Sequence, residues 1–173
     1  TGDNPNYDVT LNSEEIHRLR QFLVDGRVKY PMVLIDSYWR ADGEPFCPAA
    51  EGLSHHINAS GNIEPCPVIQ FSCDTINTGN LKEIYENSGM LGNFRSEILH
   101  KTKGCILMEE PLWLTDFAKK HQAINTSNRP EMWQEFEKAP KVCSHGSCDS
   151  IPEKSWVYKI AKKNAFFGMG AYG

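Results

Sequence analysis

The sequence predicts an α+β fold in three parts: the end of an α/β layer, a small β-hairpin region, and helices running to the C-terminus. Three observations carry this. A helical apolar period is followed by a strand-like apolar run within the first 40 residues, alternation surrounds a turn signal between residues 53 and 64, and helical periodicity returns from residue 80. The natural division is into residues 1–40 and residues 41–173.

Residues 1–9 are polar and turn-rich. Asn12 followed by Glu15 resembles a capping box, after which Ile16, Leu19, Phe22 and Leu23 form a helical stripe ending near Gly26. Pro31 then leads into Met32-Val33-Leu34-Ile35-Asp36, read as a strand. A lone helix and strand cannot cover a buried parallel strand on both faces, so this pair reads as the last turn of a larger α/β layer. The alternative is that the strand pairs with the downstream hairpin. Residues 37–79 are loop and hairpin: an alternating stretch over 53–58, a turn at Ala59-Ser60-Gly61-Asn62, and Ile63-Glu64 returning to Pro65-Cys66.

From residue 80, Leu81, Ile84 and Tyr85 mark one helical segment, and Leu91, Phe94, Ile98 and Leu99 the next. Pro111 sits at a helix N1 position before Leu112-Trp113-Leu114, and Lys119, Lys120 and His121 fall in that helix's last turn, where its dipole favours cations. Residues 124–130 read as loop, and a short helix from Glu131 carries Trp133 and Phe136. The last helix carries Trp156, Tyr158, Ile160 and Ala161, with Lys159, Lys162 and Lys163 read first as a solvated face. The closing FFGMGAYG holds large apolar groups that must dock on this chain or on a missing domain.

Composition narrows function. Hydrophobic residues make up 40% of the 173 and charged residues 23%, which argues against disorder, and no apolar run approaches a membrane span. A formal charge of -4 argues against a broad nucleic-acid surface. Six cysteines in a chain without an apolar leader point to a reducing, cytoplasmic setting, where thiols serve as metal ligands, nucleophiles or core residues. Thr1 at the start suggests a piece of a longer protein.

The hairpin brings Cys47 and Cys66 side by side, with Pro48, Pro65 and Pro67 stiffening the approaches, a geometry that suits one metal centre. Cys105 follows Gly104, which lets backbone come close to whatever the sulfur binds. Cys73 lies seven residues beyond Cys66 and reaches the same site if the segment turns back. Cys143 and Cys148 form a C-x4-C pair, a weaker signal than C-x2-C and equally readable as an exposed loop. His55 and His56 are adjacent, so at most one faces a site shared with the cysteines, and each reads first as a packing or solvent histidine. His17, His100, His121 and His145 show no i,i+4 pairing of a hydrolytic zinc helix.

The segment C-x13-G-x4-C, made by Cys47, Gly61 and Cys66, resembles the opening of the auxiliary-cluster domains of radical S-adenosylmethionine (radical SAM) enzymes, the SPASM and twitch domains. The flanks YPMVLIDSYW and KGCILMEEP and the tail IPEKSWVYKIAKKNAFFGMGAYG are similar to the C-terminal part of uncharacterised radical SAM proteins. The resemblance implies that residues 1–40 are the last helix and strand of a partial (β/α) barrel, and that 41–173 form a SPASM/twitch-like domain with a helical extension. It also implies a 4Fe-4S cluster on Cys47, Cys66 and Cys105, with Cys73 first choice for the fourth ligand, and Cys143, Cys148 or an open iron as the other options. The dense C-x2-C-x5-C-x3-C tract of full SPASM domains is absent, which points to the single-cluster twitch type.

The C-x3-C-x2-C motif that holds the S-adenosylmethionine-cleaving cluster is absent as well. The expected partner is therefore a missing N-terminal barrel, with the substrate unknown, S-adenosylmethionine a cofactor of the full-length enzyme alone, and this chain catalytically incomplete. His55, His56, Gln70 and Arg95 are candidates for groups around the cluster or substrate, each read first as structural. The competing expectation is a structural zinc module with four cysteine ligands, serving protein interaction, because the same thiolates satisfy tetrahedral zinc. A thiol redox protein is disfavoured by the lack of C-x2-C.

Overall fold

Asn12 builds the first helix as its side chain dictates. Its carboxamide oxygen accepts from the amides of Glu14 and Glu15, while Glu15 reaches back to the Asn12 amide at 2.8 Å, completing the capping box of α1 (Ser13–Lys29). This is a computed structural model, and it describes residues 7–36, 39–145 and 151–164. Residues 1–6, Ser37, Tyr38, Gly146, Cys148 and the closing aromatic tail lie outside the described residues.

After α1 come β1 (His56–Ile57), β2 (Asn62–Glu64), β3 (Phe71–Ser72), β4 (Asp74–Thr75), α2 (Leu81–Asn87), α3 (Gly89–Ile98), α4 (Ile106–Glu109), α5 (Pro111–Lys120), β5 (Ile124–Asn125), α6 (Met132–Lys138) and α7 (Trp156–Asn164). The fold mixes helices with two small antiparallel sheets, ordered β1-β2-β4 and β3-β5, which is the α+β class. The hairpin forms at its turn signal, with His56 opposite Glu64 and Ile57 opposite Ile63. Gly61 takes φ +82, a conformation that favours glycine, and closes the turn by donating to the Asn58 carbonyl.

The apolar core lies between residues 49 and 136. Phe71 from β3 meets Phe94 of α3 edge-on at 6.5 Å and Phe117 of α5 at 6.3 Å, while Ile63, Ile69 and Leu114 fill the space around them. Cys47 and Cys66 pack against this core.

A second region is built on charge. Arg20 and Arg27 of α1, Asp36, Glu153 and Lys162 of α7 are all buried, each with a side chain no more than 4% exposed. Arg20 Nη1 lies 3.1 Å from Asp36 and 3.0 Å from Glu153, Arg27 pairs with both carboxylates, and Lys162 Nζ lies 2.9 Å and 3.1 Å from the same two. The Trp39 carbonyl accepts from Lys162 at 2.6 Å, and the rings of Trp39 and Tyr158 lie under the guanidinium groups of Arg20 and Arg27.

This region corrects four sequence expectations. The buried face of α1 is Ile16, Arg20, Val24 and Arg27, whereas Leu19 and Phe22 are exposed, because paired arginines occupy the inner face. Lys162 is buried rather than solvated, because Asp36 and Glu153 receive its ammonium. The run 32–36 makes no strand, with the hairpin or otherwise, among the described residues. The Leu34 amide donates to the Tyr158 hydroxyl at 2.8 Å and its carbonyl accepts from Arg27 Nε at 2.8 Å, so side chains occupy the groups a neighbouring strand would need. Met32, Val33 and Ile35 are left exposed. Helix α1 also continues to Lys29, beyond the expected stop near Gly26.

Candidate metal centre

Three cysteines open three tight turns. The Cys47 carbonyl accepts from the Glu51 amide at 3.1 Å, that of Cys66 from Ile69 at 3.1 Å, and that of Cys105 from Met108 and Glu109 at 3.0 Å each. Proline follows directly in two of them, Pro48 and Pro67, fixing the backbone angle that starts the turn and contributing no donor of its own. Each turn presents the amides two and three residues on to the cysteine sulfur: Ala49 and Ala50 for Cys47, Val68 and Ile69 for Cys66, Leu107 and Met108 for Cys105. At Cys105 this falls short of a formed capping hydrogen bond. Amides so arranged favour the thiolate.

Burial opposes them and wins. It pushes the Cys66 thiol up to about 12, against the Val68 and Ile69 amides and with added repulsion from Cys105 and Cys47. Burial likewise raises Cys47 against its amides, with Glu51 adding to the rise, and raises Cys105 against its own, with Cys47 and Glu109 adding. The structure thus brings Cys47, Cys66 and Cys105 within electrostatic reach of one another. By themselves they are neutral thiols. A cation among them would supply the charge that turns all three into thiolates, with the amides already placed to receive them.

Cys73 stands apart from this group. It occupies the bend between β3 and β4, is exposed, and its thiol donates to the His121 carbonyl at 3.3 Å. Partial burial and Asp74, rather than another thiol, raise it. Cys143 is exposed, with its sulfur 3.7 Å from His145 Nδ1. None of the described cysteines is in a disulfide.

The hairpin is held rigid by Glu64, whose fully buried carboxylate lies 2.6 Å from His56 Nδ1 and accepts from Asn58 at 2.9 Å and from the Thr126 hydroxyl. His55 stacks on Tyr85 at 4.7 Å, and burial, aided by Arg95, lowers it to about 4, so it is neutral at pH 7. Arg95 Nε donates to the Leu91 carbonyl at 3.2 Å, and the Gln70 carbonyl accepts from the Thr126 amide at 3.0 Å.

Sequence reasoning missed one grouping. Glu109, Cys143 and His145 place their ligand atoms within 4.8 Å of one another. The link between these distant positions is Gly104: a Cβ there would collide with Ser144 Oγ and lie 2.7 Å from Glu109 Oε1 and 3.1 Å from His145 Nδ1, so glycine lets the later segment seat itself. The only sequence signal is the histidine inside the C-x4-C pair, which by itself reads equally as a loop feature.

Compared with known proteins, the chain matches no family model, no curated protein and no solved structure. Among the described residues, no helix is long and apolar enough to cross a membrane.

Proposed function

We propose that Cys47, Cys66 and Cys105 hold an auxiliary 4Fe-4S cluster, and that the chain is the C-terminal portion of a radical SAM enzyme acting in the cytoplasm. The observation that carries this reading is the convergence of three half-buried thiols, each with two backbone amides presented to its sulfur. Such a cluster, when bound, would relay single electrons or offer an iron to substrate. The protein's part is to keep the sulfurs dry and to set, through the amides of residues 49, 50, 68, 69, 107 and 108, how much negative charge they carry. Cys73 is engaged with the His121 carbonyl, which leaves the fourth position open to an exogenous ligand.

In this reading a missing barrel supplies the S-adenosylmethionine site and lies against residues 31–36, which form no strand of their own. The exposed Met32, Val33 and Ile35 support it, since they form an apolar edge with no cover from the described residues.

The zinc reading uses the same thiols. Tetrahedral zinc holds its sulfurs about 3.8 Å apart, given Zn–S bonds of about 2.3 Å. The thiol donor set by itself admits either metal, so metal content decides between the two readings. Anaerobic reconstitution followed by iron and sulfide quantitation, with absorbance near 400 nm, tests the proposal. About four irons per chain, lost in Cys66→Ala, are expected. A colourless protein that takes one zinc on these thiols would overturn it.

A further inference from the structure

We infer that Glu109, Cys143 and His145 form a second, separate site for one borderline divalent transition-metal ion, of which Zn2+ is the type. It goes beyond the cluster reading and assigns Cys143 away from the three-thiol centre. The donor set is one carboxylate, one thiolate and one imidazole, the mixture that zinc accepts and that hard ions such as Mg2+ and Ca2+ do not.

The spacing fits. Bonds of about 2.3 Å to sulfur and about 2.0 Å to nitrogen and oxygen, at tetrahedral angles, separate sulfur from nitrogen by about 3.5 Å and nitrogen from oxygen by about 3.3 Å. Cys143 Sγ lies 3.7 Å from His145 Nδ1, and His145 Nδ1 lies 2.9 Å from Glu109 Oε1. Opening that second contact by a few tenths of an ångström admits the ion. In the absence of metal, a proton between Nδ1 and Oε1 joins the same two atoms, so the ion takes its place. On binding, the neutral imidazole carries its proton on Nε2 instead of Nδ1, and the Cys143 thiol proton leaves to solvent.

The surroundings orient the donors. Glu109 Oε1 accepts from the Ser144 amide at 2.9 Å and the Ser144 hydroxyl at 2.7 Å, and Thr102 holds Oε2. The Val142 amide donates to the Met108 carbonyl at 2.8 Å, fixing the arriving stretch of chain beside α4. The Cys105 amide donates to Ser144 Oγ at 2.7 Å, so the second site is tied by backbone to a ligand of the first. Cys143 is exposed, which leaves the ion a path in from solvent.

The test uses the full chain, reconstituted anaerobically with iron and sulfide and then equilibrated with Zn2+. Elemental analysis is expected to give one zinc beside the iron, and zinc-edge X-ray absorption one sulfur among nitrogen and oxygen ligands. His145→Ala and Cys143→Ser should each weaken zinc binding by about 100-fold or more, and Glu109→Gln by about 10- to 100-fold, with iron content unchanged. All-sulfur coordination, unaltered zinc affinity in His145→Ala, or iron falling together with zinc in that variant would each overturn the site. A chain that takes up no iron sinks the cluster reading alone, since X-ray absorption still separates mixed-ligand zinc from all-sulfur zinc.

Discussion

Two regions of this chain solve the problem of burial in opposite ways. Between residues 49 and 136 the interior is aromatic and aliphatic, with Phe71, Phe94 and Phe117 in mutual ring contact. Around α1 and α7 the interior is ionic, with three cations sharing two carboxylates. An apolar core tolerates change in proportion to the volume lost. A buried ion network tolerates it far less evenly, because removing one charge strands its partners. The network already carries one positive charge more than it neutralises, and Glu153 Oε2 has no hydrogen-bond partner. Three cations around Asp36 and Glu153 are held in place by packing as much as by pairing.

The largest expected effects come from one change in each region. Arg27→Met keeps the volume but removes the guanidinium that hydrogen-bonds both Asp36 and Glu153, and should destabilise by about 3–5 kcal/mol in denaturant unfolding. Phe94→Ala should cost a similar amount, about 3–5 kcal/mol, through a cavity instead. The two are told apart by Phe94→Leu, which should recover much of the loss, whereas Arg27→Lys should not, since one ammonium cannot replace the three guanidinium nitrogens that donate to the Leu34 carbonyl, Glu153 and Asp36.

Metal separates the regions next. Stripping a loaded chain with a chelator should remove about 2–3 kcal/mol of hydrogen-exchange protection from residues 47–69 and 105–109, if metal is present at about a hundred times its dissociation constant. Protection in α1 and α7 should be unchanged. Equal loss in both would show that the regions unfold as one unit.

Acid should act on the ionic region first. Burial alone would raise Asp36, but Lys162 and Arg27 outweigh it and hold its carboxyl below the ordinary 3.8. A folded value below the unfolded one contributes stability that is fully present above pH 3.8 and is lost as pH falls through the folded value. Fluorescence of Trp39, seated on Arg20, should therefore change on acidification below about pH 4 before that of Trp113 and Trp133 in the apolar region. Simultaneous change at all three would remove the distinction.

Smaller effects follow at the surface. Asn12→Ala removes a cap from α1 and should cost about 1 kcal/mol. Lys82→Ala breaks only an exposed contact of 3.8 Å to Glu86, and should shift stability by no more than about 0.5 kcal/mol.

What could be read from the sequence was local. The Asn12 capping box, the turn before Ile63 and Pro111 at the start of α5 each depend on residues a few positions apart, and each stands where its signal placed it. What could not be read was long-range. Arg20 and Arg27 look like outer-face residues until Glu153 is brought to them from the far end of the chain, and Lys162 looks solvated until Asp36 is. The same holds at the thiols. The pairing of Cys47 with Cys66 follows from the hairpin, but neither the outward turn of Cys73 nor the meeting of Glu109 with His145 has a signal in neighbouring residues.

The reach of those ion pairs has a consequence for the order in which the chain can be assembled. Synthesis delivers α1 before α7, and 126 positions separate Arg27 from Glu153 and Asp36 from Lys162. Until the later partners emerge, the inner face of α1 holds two arginines with only Asp36 to answer them, so it cannot leave water. The apolar region, complete by residue 138, can close first. Helices α1 and α7 are then joined last, when α7 arrives to lock α1 in place.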